Sequence, residues 1–217
     1  MIRFKQVQLA LATAGILASG VTQAALHDRG GGLIYDDVLN ITWMADANYA
    51  KTSGYDADGY MTWNDANTWA ADLSYGGFND WRLPTALNQD GSGPCEGFNC
   101  GNSEMGHMFY SNMGAVADRS ILSGTNASNL ALFSNLKSFA YWFGTAQALR
   151  PAVNAWVFST REGMQGFSHQ PNEYAAWAVR DGDAAAPIPE PDTYAMMLAG
   201  LGLLGLVARR RKQKLNA

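Results

Sequence analysis

Two apolar segments bracket this 217-residue chain, and together they fix how much of it is left to fold. The C-terminal one runs from Thr193 to Ala208, 16 residues, and as a helix rising about 1.5 Å per residue it covers about 24 Å. That is short against a hydrocarbon core of roughly 30 Å. A proline-rich break, Pro187-Ile188-Pro189-Glu190-Pro191, precedes it, and Arg209, Arg210, Arg211, Lys212 and Lys214 follow it. A marginal span closed by cations, which mark the cytoplasmic side, suits a helix that holds the chain in a membrane for a limited time. The N-terminal segment is a different device. Arg3 and Lys5 form a cationic start, Val7 to Leu17 is mostly apolar, and Thr22-Gln23-Ala24 places small residues where a signal peptidase cuts. Residues 1–24 therefore read as a signal peptide, and export through the inner membrane follows. The expected layout is a domain over 25–183, a Pro/Ala-rich linker over 184–192, an apolar helix over 193–208 and a basic cytoplasmic end over 209–217.

Charge looks different once the ends are set aside. Residues 25–186 hold 17 acidic and 8 basic side chains, a formal balance of −9, which the whole-chain value of −4 conceals. Such a domain repels phosphate and sulfate backbones, so nucleic acid is excluded as a partner and a polyanionic glycan would need a bridging cation. The terminal arginines belong to the membrane segment. The 162 residues between the ends are enough for one domain with its own core.

Patterning within that stretch predicts an α+β unit of short antiparallel strands and two helices. Leu39, Ile41 and Trp43 alternate, the period of a half-buried strand, and with Leu33-Ile34-Tyr35 they make a hairpin about Asp36 to Val38. Residues 48–60 read as loop. Thr62 caps a helix in which Asp65 suits the first turn and Ala66, Trp69, Ala70 and Leu73 form one apolar face; Gly76-Gly77 ends it. Ser103 to Met113 is the second helix, with Met105, Met108, Phe109 and Met113 facing the core. Residues 115–129 read as polar loop, and strands are expected at 139–143, 155–159, 166–167 and 176–179.

Cys95 and Cys100 are the two cysteines of the chain. In an oxidising compartment they pair, and so small a ring steadies one loop by up to about 2 to 3 kcal/mol. Zinc would need two further ligands, and His27, His107 and His169 each stand alone. Asp56-Ala57-Asp58-Gly59 offers two carboxylates before a glycine without the rest of a calcium loop. The sequence implies no cofactor, with calcium the weakly supported alternative.

Two resemblances add to this reading. Pro189, Glu190 and Pro191, then Thr193, a glycine-bearing apolar run and Arg209 to Arg211 resemble the PEP-CTERM sorting signal. That resemblance implies an exosortase-type processing enzyme as partner and polysaccharide-producing Gram-negative bacteria as the setting. Gly32 to Asp36, Leu39 to Trp43, Asp80-Trp81-Arg82-Leu83-Pro84-Thr85, Tyr141-Trp142 and Trp177 to Gly182 resemble the Lcl C-terminal domain family. This second resemblance implies a fold similar to C-type-lectin-like and formylglycine-generating-enzyme domains, with Leu33 to Tyr35 beside Trp177 to Val179. Trp43, Trp81, Arg82, Leu83, Pro84, Trp177 and Arg180 would be its structural motif. Arg82 and Arg180 sit among apolar neighbours and need carboxylates or carbonyls, for which Asp80 and Asp181 are at hand.

Tryptophans at 43, 63, 69, 81, 142, 156 and 177 invite a sugar-stacking reading, but their place in strands and on the helix face assigns most of them to the core. Trp63-Asn64-Asp65 and Gln170-Pro171-Asn172 match the letters of calcium-dependent lectin sites in reversed order, with Trp63 at the start of a helix, and read as coincidence. The Cys-x4-Cys spacing also occurs in formylglycine-generating enzymes, but there it lies late in the domain. The expectation is thus an exported binding or adhesion module of the cell envelope or extracellular matrix, non-enzymatic and associated with exopolysaccharide. The competing classes are an extracytoplasmic thiol oxidoreductase using Cys95 and Cys100, and a purely structural matrix protein.

Overall fold

The computed structural model describes residues 26–184. The signal peptide, the linker, Pro189, Glu190, Pro191, Thr193, the apolar helix and Arg209 to Arg211 lie outside the described residues. Among the described residues no helix is long and apolar enough to cross a membrane.

In chain order the elements are β1 (Leu26–Asp28), β2 (Leu33–Asp36), β3 (Ile41–Met44), α1 (Tyr49–Thr52), β4 (Tyr60–Met61), α2 (Trp63–Asp72), β5 (Gly97–Phe98) and α3 (Glu104–His107). A π-helical turn (Met108–Asn112) continues α3, and a 3₁₀ turn (Ile121–Ser123) precedes α4 (Ala127–Leu130). Then come β6 (Ala140–Ala146), β7 (Asn154–Ser159), β8 (Met164–His169), β9 (Tyr174–Ala175) and β10 (Val179–Asp181). The architecture is α+β with two sheets, of order β1-β2-β3-β10 and β4-β9-β6-β7-β8-β5.

The predicted hairpin forms, with Asp36 opposite Ile41 and Leu33 opposite Met44. The last strand is not where the family likeness put it. β10 pairs with β3, Val179 against Trp43, and the free edge of β2 is taken by β1. Packing explains this: all four residues of β3 are buried, and Trp43 and Trp177 meet with ring centroids 4.8 Å apart, so β3 is the centre of the small sheet. Trp177 also donates its Nε1 to the Met44 carbonyl at 2.7 Å.

Thr62 caps α2 as predicted, accepting from the Asp65 amide, and Ala66, Trp69 and Ala70 are buried. The helix stops at Asp72, short of the glycines, because Tyr75 and Phe78 bond to each other across a tight turn that Gly76 and Gly77 occupy at φ of +63° and +85°. Positive φ suits glycine, so these glycines make that turn and do not cap the helix. Residues 48–60, expected as loop, contain α1 and the start of β4, and residues 115–129 contain the 3₁₀ turn and the start of α4. The second helix opens at its Ser103 cap and buries Met105, Met108, Phe109 and Met113, but widens into the π turn after His107. Of the strand expected at 176–179 only Val179 lies in one, β10, and residues 176–178 form the irregular link from β9. β1 and β5 had no period long enough to read. Six tryptophans are buried and Trp63 is half-buried.

Candidate functional site

The Trp-Arg-Leu-Pro block lies beside the last strand. Arg82 and Val179 exchange both backbone hydrogen bonds at 2.8 Å, which extends the small sheet by one bridge beyond β10. Trp81 is buried and donates its Nε1 to the Tyr75 carbonyl at 3.2 Å, and Leu83 is also buried. Pro84 gives its carbonyl to the Gly144 amide in β6, joining the two sheets.

Both arginines find carboxylates. Arg82 grips Glu104 with Nη1 at 2.9 Å and Nη2 at 2.7 Å and reaches Asp181 with Nε at 3.1 Å. Burial alone would lower the pKa of this guanidinium, but the hydrogen bonds and charges of Glu104 and Asp181 outweigh it and raise it above the ordinary arginine value. Glu104 was not foreseen as a partner. It also takes the Thr85 amide at 2.7 Å, so one carboxylate ties the motif to α3. Arg180 makes a fork to Asp80 at 2.8 and 2.9 Å, with its guanidinium carbon 3.9 Å from the Phe78 ring centroid. The Arg180 hydrogen bond and charge hold the Asp80 carboxyl below its usual range. Arg82, Arg180 and Glu104 are tied down by these pairs and act as fasteners, while the Asp80 and Asp181 carboxylates stay open to solvent.

Cys95 and Cys100 are joined in a disulfide. The Cys95 carbonyl accepts from Gln165 Nε2 at 2.8 Å, and Cys100 is 2% exposed. A Cβ at Gly106 would collide with the Cys100 carbonyl, so glycine is what allows α3 to press on the disulfide loop. The loop is thereby joined to β8 on one side and α3 on the other.

Beneath α3 lies a buried polar cluster the sequence did not disclose. Asp36, fully buried, accepts the Val38 and Leu39 amides at 3.1 Å and Asn112 Nδ2 at 2.6 Å. His107 Nε2 stands 3.9 Å from Asp36 Oδ2, too far for a hydrogen bond. Burial pushes the His107 pKa down, against the opposing pull of Asp36.

A second concave surface lies elsewhere. The turn after β8 meets the start of α2, where the Trp63 amide donates to the Gln170 carbonyl at 3.0 Å. Thr62, Asn64, Val153, His169, Gln170 and Pro171 line a cleft of about 350 Å³ there. The two lectin-like tripeptides are thus neighbours, although 105 residues separate Asn64 from His169. Their side chains do not converge on a cation position. Asp65 accepts the Thr62 hydroxyl at 2.6 Å, Gln170 Nε2 donates to the Pro151 carbonyl at 2.8 Å, and Asn172 Nδ2 donates to Ser168 Oγ at 2.9 Å. Asn64 and His169 are exposed at the cleft. Among the described residues no group of three or more His, Cys, Asp or Glu could hold a metal ion. In Asp56-Ala57-Asp58-Gly59, one oxygen of each aspartate is taken by nearby backbone amides.

The family model of the PEP-CTERM protein-sorting motif matches residues 187–212. No curated protein matches the chain. The chain therefore carries a PEP-CTERM motif at its C-terminal end, which implies exosortase-type sorting of an extracellular protein.

Proposed function

We propose that this chain is an exported binding module of the cell envelope or extracellular matrix, with a C-type-lectin-like fold, that associates with exopolysaccharide and binds without catalysing. The observation that carries this reading is the cleft at the start of α2, which presents the exposed Asn64 amide and His169 imidazole beside the small apolar walls of Val153 and Pro171. Few precisely placed uncharged polar groups against apolar walls suit a hydroxyl-rich ligand. The sorting motif supplies the setting, and the domain's balance of −9 favours a neutral glycan over a polyanion. In this reading the apolar helix over 193–208 holds the chain transiently in the inner membrane until the exosortase-type enzyme acts.

The cysteines fit a structural role better than thiol oxidoreduction, because Cys100 is buried and the loop's carbonyls are bonded to Gln165 and Ser103. Fractionation of the native host tests the proposal. The mature protein is expected with the matrix or envelope polysaccharide and to be released when that polysaccharide is digested. Recovery in a soluble fraction free of glycan, unchanged by digestion, would overturn it.

A further inference from the structure

On the other side of the turn that follows β8, three aromatic side chains from three separate segments meet. Tyr60 in β4 and Phe139 before β6 have ring centroids 5.3 Å apart, and Phe139 and Tyr174 in β9 are 5.9 Å apart. Tyr174 in turn packs edge-on against Trp142 at 4.9 Å. Trp142 is fully buried, Tyr60 and Tyr174 are half-buried, and Phe139 is 42% exposed. The set therefore runs from the core out to the surface.

Its backbone support is fixed. Trp142 Nε1 donates to the Met61 carbonyl at 2.8 Å, and Met61 pairs with Tyr174. The Phe139 amide donates to Thr160 Oγ1 at 3.1 Å, and its carbonyl accepts the Thr160 amide at 2.8 Å. A polar border runs alongside: the Tyr174 hydroxyl lies 3.1 Å from Ser168 Oγ, which accepts from Asn172 Nδ2 at 2.9 Å. Rings held rigidly and left partly open to water, with hydroxyl and amide groups at the edge, are what an amphipathic ligand requires.

We propose that the face formed by Tyr60, Phe139 and Tyr174 is a binding subsite for a neutral pyranose polymer. The C–H face of a sugar ring stacks on Phe139, which Tyr60 meets edge-on at 74°, while its hydroxyls meet the Tyr174, Ser168 and Asn172 groups. This rests on the polysaccharide reading above and names the ligand class within it. The border groups are uncharged and the domain carries nine net negative charges, so a polyanion is disfavoured. Base stacking in a nucleic-acid strand needs a cationic groove to follow the backbone, and 17 acidic against 8 basic residues provide the opposite field. Because one turn separates this face from the cleft, the two together suit consecutive units of one glycan chain.

Native gel electrophoresis of the mature protein through dextran, mixed-linkage β-glucan, hydroxyethyl cellulose and alginate tests the proposal. At least one neutral polymer is expected to retard the protein and alginate is not. The double variant Tyr60→Ala/Phe139→Ala should weaken that retardation at least tenfold, whereas Phe139→Tyr, which keeps the ring, should preserve it. Circular dichroism checks that the double variant is folded; Asn172→Ala, at the exposed border, gives a second reading with an expected few-fold loss. Equal retardation of wild type and the double variant would overturn the subsite while leaving the polysaccharide reading in place. Retardation by none of the neutral polymers would also overturn it, and binding to the host's own matrix polysaccharide would then decide the broader reading separately. A wild-type dimer in sedimentation that the double variant abolishes, without glycan retardation, would assign the face to a second copy of the chain.

Discussion

The two sheets handle polar chemistry in opposite ways. In the small sheet the charged side chains turn to one another: Arg82 with Glu104 and Asp181, Arg180 with Asp80, and Arg29 with Asp183 at 2.8 and 2.6 Å. Arg29 follows β1 and Asp183 follows β10, so the last of these pairs clasps the two ends of the domain together. At one edge of the large sheet an amide, an imidazole and rings are open to solvent in whole or part, as at the cleft of Asn64 and His169 and the ring face of Tyr60, Phe139 and Tyr174. The difference teaches that the arginines of the small sheet hold the fold, and in the proposed reading recognition is left to amides, hydroxyls and rings.

The comparison breaks most readily at the tryptophan joint. Trp177→Ala removes a fully buried ring that contacts Trp43, Phe133 and Tyr141, and is expected to cost about 4 kcal/mol in urea unfolding. A loss under about 1 kcal/mol would mean that the small sheet is not packed as described. Arg82→Ala comes next. It strands Glu104, whose side chain is 10% exposed, and the expected loss is about 3 kcal/mol, toward the lower end for a broken buried pair because the Arg82 side chain is 34% exposed. Arg82→Lys should recover only part of it, since an ammonium cannot make the fork. The double variant Cys95→Ser/Cys100→Ser loses about 2 kcal/mol on the loop-entropy relation, and glycan retention should persist when measured below its melting temperature.

Acidification probes the buried cluster beneath α3. The folded His107 pKa lies below its unfolded value near 6.5, so the unfolded chain binds the additional proton first. His107 then contributes stability above about pH 6.5 that is lost as the pH falls toward its folded pKa; Asp36, at 3.9 Å, opposes this by favouring the charged imidazole. Denaturation at pH 7 and pH 5.5 should show the decline, and His107→Gln should reduce the difference between the two values. The smallest stability effect belongs to the recognition side. Phe139→Ala removes a ring that is 42% exposed and should cost under about 1 kcal/mol while weakening glycan retention. A large stability loss there would recast the ring as core.

Local chemistry made much of the fold legible. Thr62 and Asp65 announced the start of α2, the alternation of Leu39, Ile41 and Trp43 gave the hairpin, and the spacing of Met105, Met108, Phe109 and Met113 gave the face of the second helix. The need of Arg82 and Arg180 for counter-charges pointed to Asp80 and Asp181 without saying which arginine takes which. Long-range choices were not legible. That β10 joins β3 and not β2 depends on Trp177 packing against Trp43 across the fold, and Glu104 carries no local sign that it lies under Arg82. Sequence reasoning sought the sugar surface among tryptophans, which the core absorbs. Tyr60 and Tyr174 are ordinary strand residues and Phe139 directly precedes β6; they form a face only when β4, β6 and β9 come together. The sorting tail was the reverse case, since its order of proline, apolar run and arginine is linear and needs no fold to be read.

The most direct test of the central claim is the affinity of the mature protein for polysaccharide purified from its own host's matrix, measured with and without a calcium chelator. The account predicts saturable binding that survives the chelator and moderate salt, because uncharged groups and ring faces do the recognising. Binding that vanishes with salt or chelator, or no binding at all, would contradict it.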